Sequence, residues 1–404
     1  MVGITAPDRS KRLLVLGAGP AQLGLLRAAR ERGLFVIAVD RDPGAPGFEF
    51  ADRRAVVSTE DEPAIGMLAA AEELSGVIAP GIDWPVAIAA RVAARLGLSH
   101  PLSPEAAAVA VSKLRQRERL AEHGVPQPAW RMVTEAPADL SVPVVVKPPD
   151  RQGQKGLTLV RDPERLPAAI EQAVSFSRAN VALVEDLVEG PEVTVNAFST
   201  NGVFHPLTVT DRVTSTDESA FGVALAHAWP SEHDTEDAIE VAKAAATALG
   251  IENGPTYTQV VLGPEGPRVM ELAARLGGGH DAELCLAALG VDLNGLALSA
   301  ALGEPVEVPR PEPRGGACVR FLVAPPGSLE SVEGIEDALA QEEILDARVY
   351  RRPGWVFSPL QRGADRAGFV LATGSSRDDA LAKAGRAAEL IRFQTADAEA
   401  LVET

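Results

Sequence analysis

PVVVKPPDRQGQKGLTLV, residues 143–160, holds two short β-branched runs on either side of a charged loop with two glycines. The first run ends on Lys147 ahead of two prolines, and the second opens directly after the loop, so the pattern predicts strand, flexible loop, strand. Gly153 and Gly156 supply backbone freedom while Arg151 and Lys155 supply charge, and such a unit can fold over an anion. It is not a Walker loop, which needs Gly-Lys-Ser or Gly-Lys-Thr opening a helix.

Downstream, VALVEDLVEGPEVTVNAF (181–198) predicts a strand over 181–184, a connector from Glu185 to Glu189, and an alternating strand over 192–198. On the last, Glu192, Thr194 and Asn196 share one face, opposite Val193, Val195 and Ala197. A polar row of this kind is also what plain solvent exposure produces. YTQVVL and RVMEL, joined by GPEG, predict a hairpin with Gln259 and Glu271 near its two ends. Given the right register, the two side chains would project together within reach of a bridging metal ion.

Upstream, the apolar run Leu13 to Leu16, the turn GAGPAQLG, a helical spacing of Leu23, Leu25, Leu26 and Ala29, and the run Phe35 to Asp40 predict a parallel-sheet unit. The alternation continues through AVVS (55–58), a helix from Glu62 to Leu74, GVIAP (76–80) and a helix to about Leu96, which makes the first hundred residues an open doubly wound domain. Gly17 and Gly19 fit the first two places of a dinucleotide fingerprint, and Asp40 would suit a ribose. Residue 22, however, is Gln where the third glycine belongs, so the glycines can equally serve only to turn the strand into its helix. A further helix is expected around Val109 to His123.

With 404 residues, 46% of them hydrophobic, the chain can bury a large core without disulfide or metal staples, and two or three domains are expected. A formal charge of −18 argues against a nucleic-acid partner, because such a field repels a polyanionic backbone. Only Cys285 and Cys318 are present, which excludes a disulfide framework and a four-thiolate zinc site and points to the cytoplasm. Lys11 and Arg12 precede an apolar run as in a signal peptide, but Gly17, Gly19 and Pro20 break it at once, and no window approaches the ~20 apolar residues of a membrane span. No membrane association is expected.

Taken together, these pieces resemble the ATP-grasp superfamily, in its biotin-carboxylase-like and amino-acid ligase branch, along most of the chain. The resemblance implies an ATP-grasp fold, α/β and α+β, with a pre-ATP-grasp Rossmann-like domain at 1–105, the ATP-grasp domain at 106–305 with its flap around 150–156, and a small C-terminal α+β domain at 306–404 of mostly structural role. It implies that Lys113 and Lys147 hold the phosphates, that Gln152, Gly153 and Gly156 belong to the flap, that Glu185, Asp186, Leu187 and Val188 read the adenine side, and that Glu192 takes the ribose hydroxyls. ELAARLGGGH (271–280) resembles the terminal metal and substrate motif. Gln259 and Glu271 would then hold Mg²⁺ or Mn²⁺, and Arg275 would neutralise the reacting oxygens. Gly277, Gly278, Gly279, His280 and Arg212 would meet substrate. The sequence departs from the pattern twice: Ala273 or Ala274 stands where many members have a metal-binding Asn, and Gln259 offers a neutral amide where they have a carboxylate.

Physically, ATP carries about four negative charges, so its site needs lysines, backbone donors and a divalent cation bridging carboxylate and phosphate oxygens. By resemblance the reaction is ATP-driven activation of a carboxylate to an acyl phosphate, then attack by an amine, with small-molecule substrates and release of ADP and phosphate. His280 is the candidate to accept the amine's proton, beside the alternative that it only hydrogen-bonds. Asp211 and Arg320 are further candidate substrate contacts or ordinary ion-pair residues; Cys285 reads as a buried small hydrophobe, and Trp84 and Trp229 as packing residues. The run LGGGH after Arg275 favours amide or peptide bond formation in small-peptide or specialised metabolism over bicarbonate carboxylation. A purine-pathway-like carboxylase or formyltransferase using carboxyphosphate or formyl phosphate, a nicotinamide dehydrogenase and a non-catalytic nucleotide-binding protein stay as alternatives. By the same resemblance a homodimer is the assembly to expect, though the sequence carries no oligomer signal of its own.

Overall fold

The computed structural model describes residues 10–396. The first sheet is parallel, β1 (Arg12–Leu16), β2 (Phe35–Asp40), β3 (Arg53–Val56) and β4 (Gly76–Ile78) in the order β3-β2-β1-β4. Its inner strands read as unbroken apolar runs because both faces are covered. On one side lie α1 (Leu23–Glu31) and, from the distant sequence, α9 (Leu293–Ala301); α2 (Glu62–Ala71) and α3 (Trp84–Leu96) complete the layer. The first glycine turn is explained by a side chain rather than a phosphate. Gln22 is 1% exposed and its Nε2 donates to the carbonyl of Pro80 at 2.7 Å, filling the turn. A Cβ on Gly17, whose φ is +114°, would lie 2.8 Å from Gln22 Cδ. The residue that spoils the dinucleotide spacing therefore occupies the space a pyrophosphate would need, and that reading is set aside.

The helix expected around Val109 to His123 is two helices, α4 (Pro104–Ala110) and α5 (Lys113–Glu122). Ser112 ends the first and caps the second, its Oγ accepting from Arg115 N at 3.4 Å, and this puts Lys113 at a helix start. Next come β5 (Trp130–Val133), β6 (Val144–Lys147), β7 (Thr158–Val160), α6 (Leu166–Phe176) and β8 (Ala182–Asp186), with the antiparallel sheet order β5-β8-β6-β7. Val144 and Val146 pack on α6 with Ala169, Ile170 and Ala173. The two-residue period then sends Val145 and Lys147 to the opposite, cleft-facing side. Glu185, expected in a connector, lies on β8 across from Val145.

The largest sheet has eight strands: β9 (Glu192–Thr200), β10 (Val203–Thr214), β11 (Ala224–Trp229), β12 (Gly254–Gly263), β13 (Gly266–Ala273), β14 (Gly316–Leu322), β16 (Ile344–Val349) and β18 (Gly368–Gly374). Their order is β13-β12-β9-β10-β11-β14-β18-β16, every neighbouring pair antiparallel. This single sheet takes strands from both sides of the 305/306 division expected from sequence. Helices α7 (Glu236–Ala248), α8 (Asp281–Leu289), α10 (Ile335–Leu339) and α11 (Arg377–Leu390) flank it, and β15 (Gly327–Glu333), β17 (Val356–Phe357) and β19 (Arg392–Ala396) form a small sheet in the order β17-β15-β19. Both cysteines are buried and unbridged, as expected of Cys285. No helix among the described residues is long and apolar enough to cross a membrane.

Candidate active site

Three of the four sheets converge on a cleft of about 420 Å³ lined by the ends of β2, β6, β8, β9, β11, β12 and β13, the loop 150–156 and residues 350–366. Its lining carries eight Lys or Arg side chains against five Asp or Glu, a local cationic excess inside an acidic chain. A polyanion is the ligand such a reversal of sign selects.

The cations are pre-paired. Glu185, 1% exposed, accepts from Arg117 Nε at 2.7 Å and lies 2.6 Å from Lys147 Nζ. Burial alone would raise its pKa, but the charges of Arg117 and Lys147 outweigh that and hold it at about 2. Lys147 is shifted down, by burial and by the neighbouring charges of Arg117 and Lys113, against the pull of Glu185. Lys113 Nζ lies 2.8 Å from Glu271 Oε1 and donates to the Arg151 carbonyl at 2.6 Å. Burial again opposes the charge on Lys113, while Glu271 and Asp83 raise its pKa. Glu271 is shifted down because Lys113, Lys147 and Arg275 together exceed the cost of burial.

The loop 150–156 is folded over this cluster and tied at both ends. Gln152 Oε1 accepts from Asp83 N at 2.6 Å, and Gln154 Oε1 accepts from Gly363 N at 3.2 Å, so the N-terminal layer and the C-terminal segment both hold it. Gly153, at φ +63°, sits in open space, whereas Gly156 is tucked against Phe176 and does not line the cleft.

At the other end, Gln259 and Glu271 are direct cross-strand partners on β12 and β13, the register the metal reading required. One carboxylate and one amide oxygen are hard donors, a set that fits a divalent cation. The polar row of β9 is not solvated: Thr194 and Asn196 are 0% and 1% exposed, and Glu192 lies 3.1 Å from Arg212 Nε. Arg212 also donates to Tyr257 Oη at 2.5 Å. Arg275 donates from Nε to Asp83 Oδ1 at 2.7 Å, and its guanidinium lies 5.5 Å from the centre of the Tyr257 ring.

The cleft therefore brings together Lys113, Lys147, Gln152, Gly153, Glu185, Leu187, Val188, Glu192, Arg212, Gln259, Glu271, Arg275, Gly278 and Gly279. Gly156, Asp186, Gly277 and His280 fall outside its lining. His280 corrects the expectation of a proton acceptor. It is 5% exposed, stacked on Phe369 with ring centres 3.6 Å apart, and its Nε2 is 2.7 Å from Tyr350 Oη. Burial, aided by the charge of Arg366, drives its pKa to about 3. Two of the glycines before it are close-packing residues: a Cβ on Gly277 would lie 2.1 Å from Asp281 Oδ2, and one on Gly279 2.5 Å from His227 Cε1. The Gly279 N–H is already engaged, donating to Asp281 Oδ2 at 3.1 Å. Asp211 is also engaged elsewhere, paired with Arg377.

Sequence reasoning missed Tyr257, His227, Asp83, Arg117 and, from the C-terminal segment, Tyr350, Arg351 and Arg366. No local motif marks them. They reach the cleft or its buried ion pairs through strand pairings and loop returns between distant segments, so the C-terminal segment forms part of the cleft wall.

The fold and cleft define a nucleotide-binding architecture in which two sheets close over a phosphate site. The comparisons with known proteins name it. Residues 110–279 match the ATP-grasp domain, and residues 320–396 match the L-amino acid ligase C-terminal domain 2; the chain carries an ATP-grasp domain. It is 27% identical to the uncharacterised protein y4rH of Sinorhizobium fredii, across 95% of this chain and 83% of that one. It is also 27% identical to a formate-dependent phosphoribosylglycinamide formyltransferase of Cronobacter sakazakii, across 97% and 98%. An L-amino acid ligase from Bacillus licheniformis shares the fold with a TM-score of 0.82 at 21% identity, over 96% of this chain and all of the other.

Proposed function

We propose that this ATP-grasp ligase activates a carboxylate as an acyl phosphate and joins it to an amine, releasing ADP and phosphate, with an amino acid as the acid. The observation that carries the reading is the direct pairing of Gln259 with Glu271 in a cleft that also holds Lys113, Lys147 and Arg275. Lys147 and Lys113 neutralise the transferring phosphate, and the flap from Asp150 to Gly156 excludes water above it. Glu192 and the stretch Glu185 to Val188 line the nucleoside side. Glu271 and Gln259 would hold a divalent cation, which would supply positive charge against the phosphate. Arg275, oriented by Asp83, stabilises the oxyanion that forms when the amine attacks. The match of residues 320–396 to the C-terminal domain of L-amino acid ligases supports an amino acid substrate. The places of Arg351 and Arg366 in the cleft support it as well, since a guanidinium suits an α-carboxylate. Small-molecule substrates and a cytoplasmic homodimer complete the proposal, the last read by sedimentation.

The test is ATP consumption with hydroxylamine as the amine, screened against pools of amino acids, with the nucleotide product identified. Hydroxamate and ADP are expected with an amino acid pool; no ATP use with any acid would overturn the reading. A second reading has its own support, the near-complete overlap with formate-dependent phosphoribosylglycinamide formyltransferases. Formate as the only productive acid, with phosphoribosylglycinamide as acceptor, would decide for it.

A further inference from the structure

His227 lies on β11, 1% exposed, with its ring at the wall of the cleft. Its Nδ1 faces Asp281 Oδ1 at 3.1 Å in an ion-pair contact outside hydrogen-bond geometry, and its Nε2 has no hydrogen-bond partner among the described residues. An unpartnered buried ring nitrogen is costly unless a ligand completes it. The surroundings are built around this pair. Asp281 is fully buried, its second oxygen accepts from Gly279 N, and Phe321 meets the His227 ring edge-on at 5.5 Å. Gly279 has no side chain where His227 Cε1 sits, and Gly277 none where Asp281 sits. The glycines of LGGGH thus leave room for one histidine and one aspartate from elements that are far apart in sequence.

We propose that His227 Nε2 accepts the proton of the attacking amine, with Asp281 as the positioning residue that holds Nδ1. The inference rests on the acyl-phosphate reading above. In the step, the amine nitrogen forms a bond to the acyl carbon and the carbon–oxygen bond to phosphate breaks. Phosphate leaves with that electron pair, and the proton lost by nitrogen passes to His227 Nε2. The tautomer this requires, N–H at Nδ1 towards Asp281 and a free lone pair at Nε2, is the one that a carboxylate 3.1 Å from Nδ1 favours. The charged and titratable groups acting on the ring from β10, α8, β12 and residues 363–366 are Arg212, Asp281, Tyr257 and Arg366, with His280 as a neutral neighbour. Burial first, then Arg212 and Arg366, keep His227 below its ordinary 6.5 despite Asp281, so the base form is the resting form at neutral pH.

The experiment separates the two half-reactions. Hydroxylamine is already a neutral nucleophile at pH 7.5 and needs no base, whereas an amino-acid amine does. His227→Asn retains a donor towards Asp281 but lacks Nε2, and His227→Gln places an amide near Nε2. Both variants should form hydroxamate within about threefold of the parent while amide formation with the natural amine falls ~10²–10⁴-fold. The parent's kcat for amide formation should fall at acid pH with an apparent pKa below 6.5, and hydroxamate formation should lack that limb. Equal loss of both products in variants with a native melting curve would overturn the inference. If neither variant folds, a parent pH profile identical for the two nucleophiles would overturn it. Failure of the acyl-phosphate reading itself would look different, as no ATP use by the parent protein with either nucleophile.

Discussion

The two ends of the cleft use glycine in opposite ways. In the loop 150–156, Gly153 has nothing within 4 Å of where a Cβ would stand, and the loop is held by hydrogen bonds from Lys113 Nζ and from the backbone N–H groups of Asp83 and Gly363 that a ligand can replace. In the turn 277–279, two of the three glycines are filled by the side chains they face, Asp281 and His227. A glycine-rich run is thus a hinge at one end and a packing surface at the other. The difference suits a nucleotide that must enter and leave, beside reacting groups that must stay in register.

Four measurements would break or sharpen the contrast. The largest effect belongs to Lys147→Ala, which should reduce ATP turnover more than ~100-fold, the scale of losing one charge-stabilising donor; unchanged ADP release would remove the flap end from the nucleotide site. Next is Gly279→Ala. Its methyl would collide with His227, and we expect ~1–3 kcal/mol of lost stability, read by denaturant melts, together with a fall in kcat. Gly153→Ala should cost only about 1 kcal/mol for its left-handed backbone and act on the KM for ATP rather than on kcat. A Gly153 variant as damaging as the Gly279 one would erase the distinction.

The smallest effect is in acid. Glu185 and Asp281 both titrate lower folded, at about 2, than their ordinary 4.5 and 3.8. For a depressed carboxylate the stabilisation is complete above the unfolded value and is lost as pH falls towards the folded one. Glu185 should begin to lose its contribution nearer pH 4.5 and Asp281 nearer 3.8, so Glu185→Gln should flatten the upper part of an acid-unfolding curve that Asp281→Asn leaves unchanged.

Much of this was legible in the sequence. The parallel layer, the strand-loop-strand around Lys147 and the hairpin carrying Gln259 and Glu271 all follow from local period and turn residues. What stayed hidden was placement. His280 and His227 look alike as letters, and only the pairing of β11 with β14 and the left-handed backbone at His280 turn one ring to the cleft and the other into the core. Glu192, Thr194 and Asn196 alternate as a solvated strand would, yet Thr194 and Asn196 are buried, with Thr194 at Tyr257 Oη and Asn196 at Thr208 Oγ1. Arg366 carries no motif at all, and reaches the site through the turn preceding β18.

The sheet that runs from β13 to β16 also limits how such enzymes can be recombined. Because β11 hydrogen-bonds to β14 from Ala226 to Trp229, a chimera that exchanges everything after residue 305 replaces a strand partner along with the arginines that line the cleft. Stopping the chain there would leave β11 as an open edge, available to any other strand in solution. The C-terminal wall of the cleft and the cover of that sheet edge are therefore inherited together in this architecture, and exchanging one means carrying over β14, β18 and their register as one block.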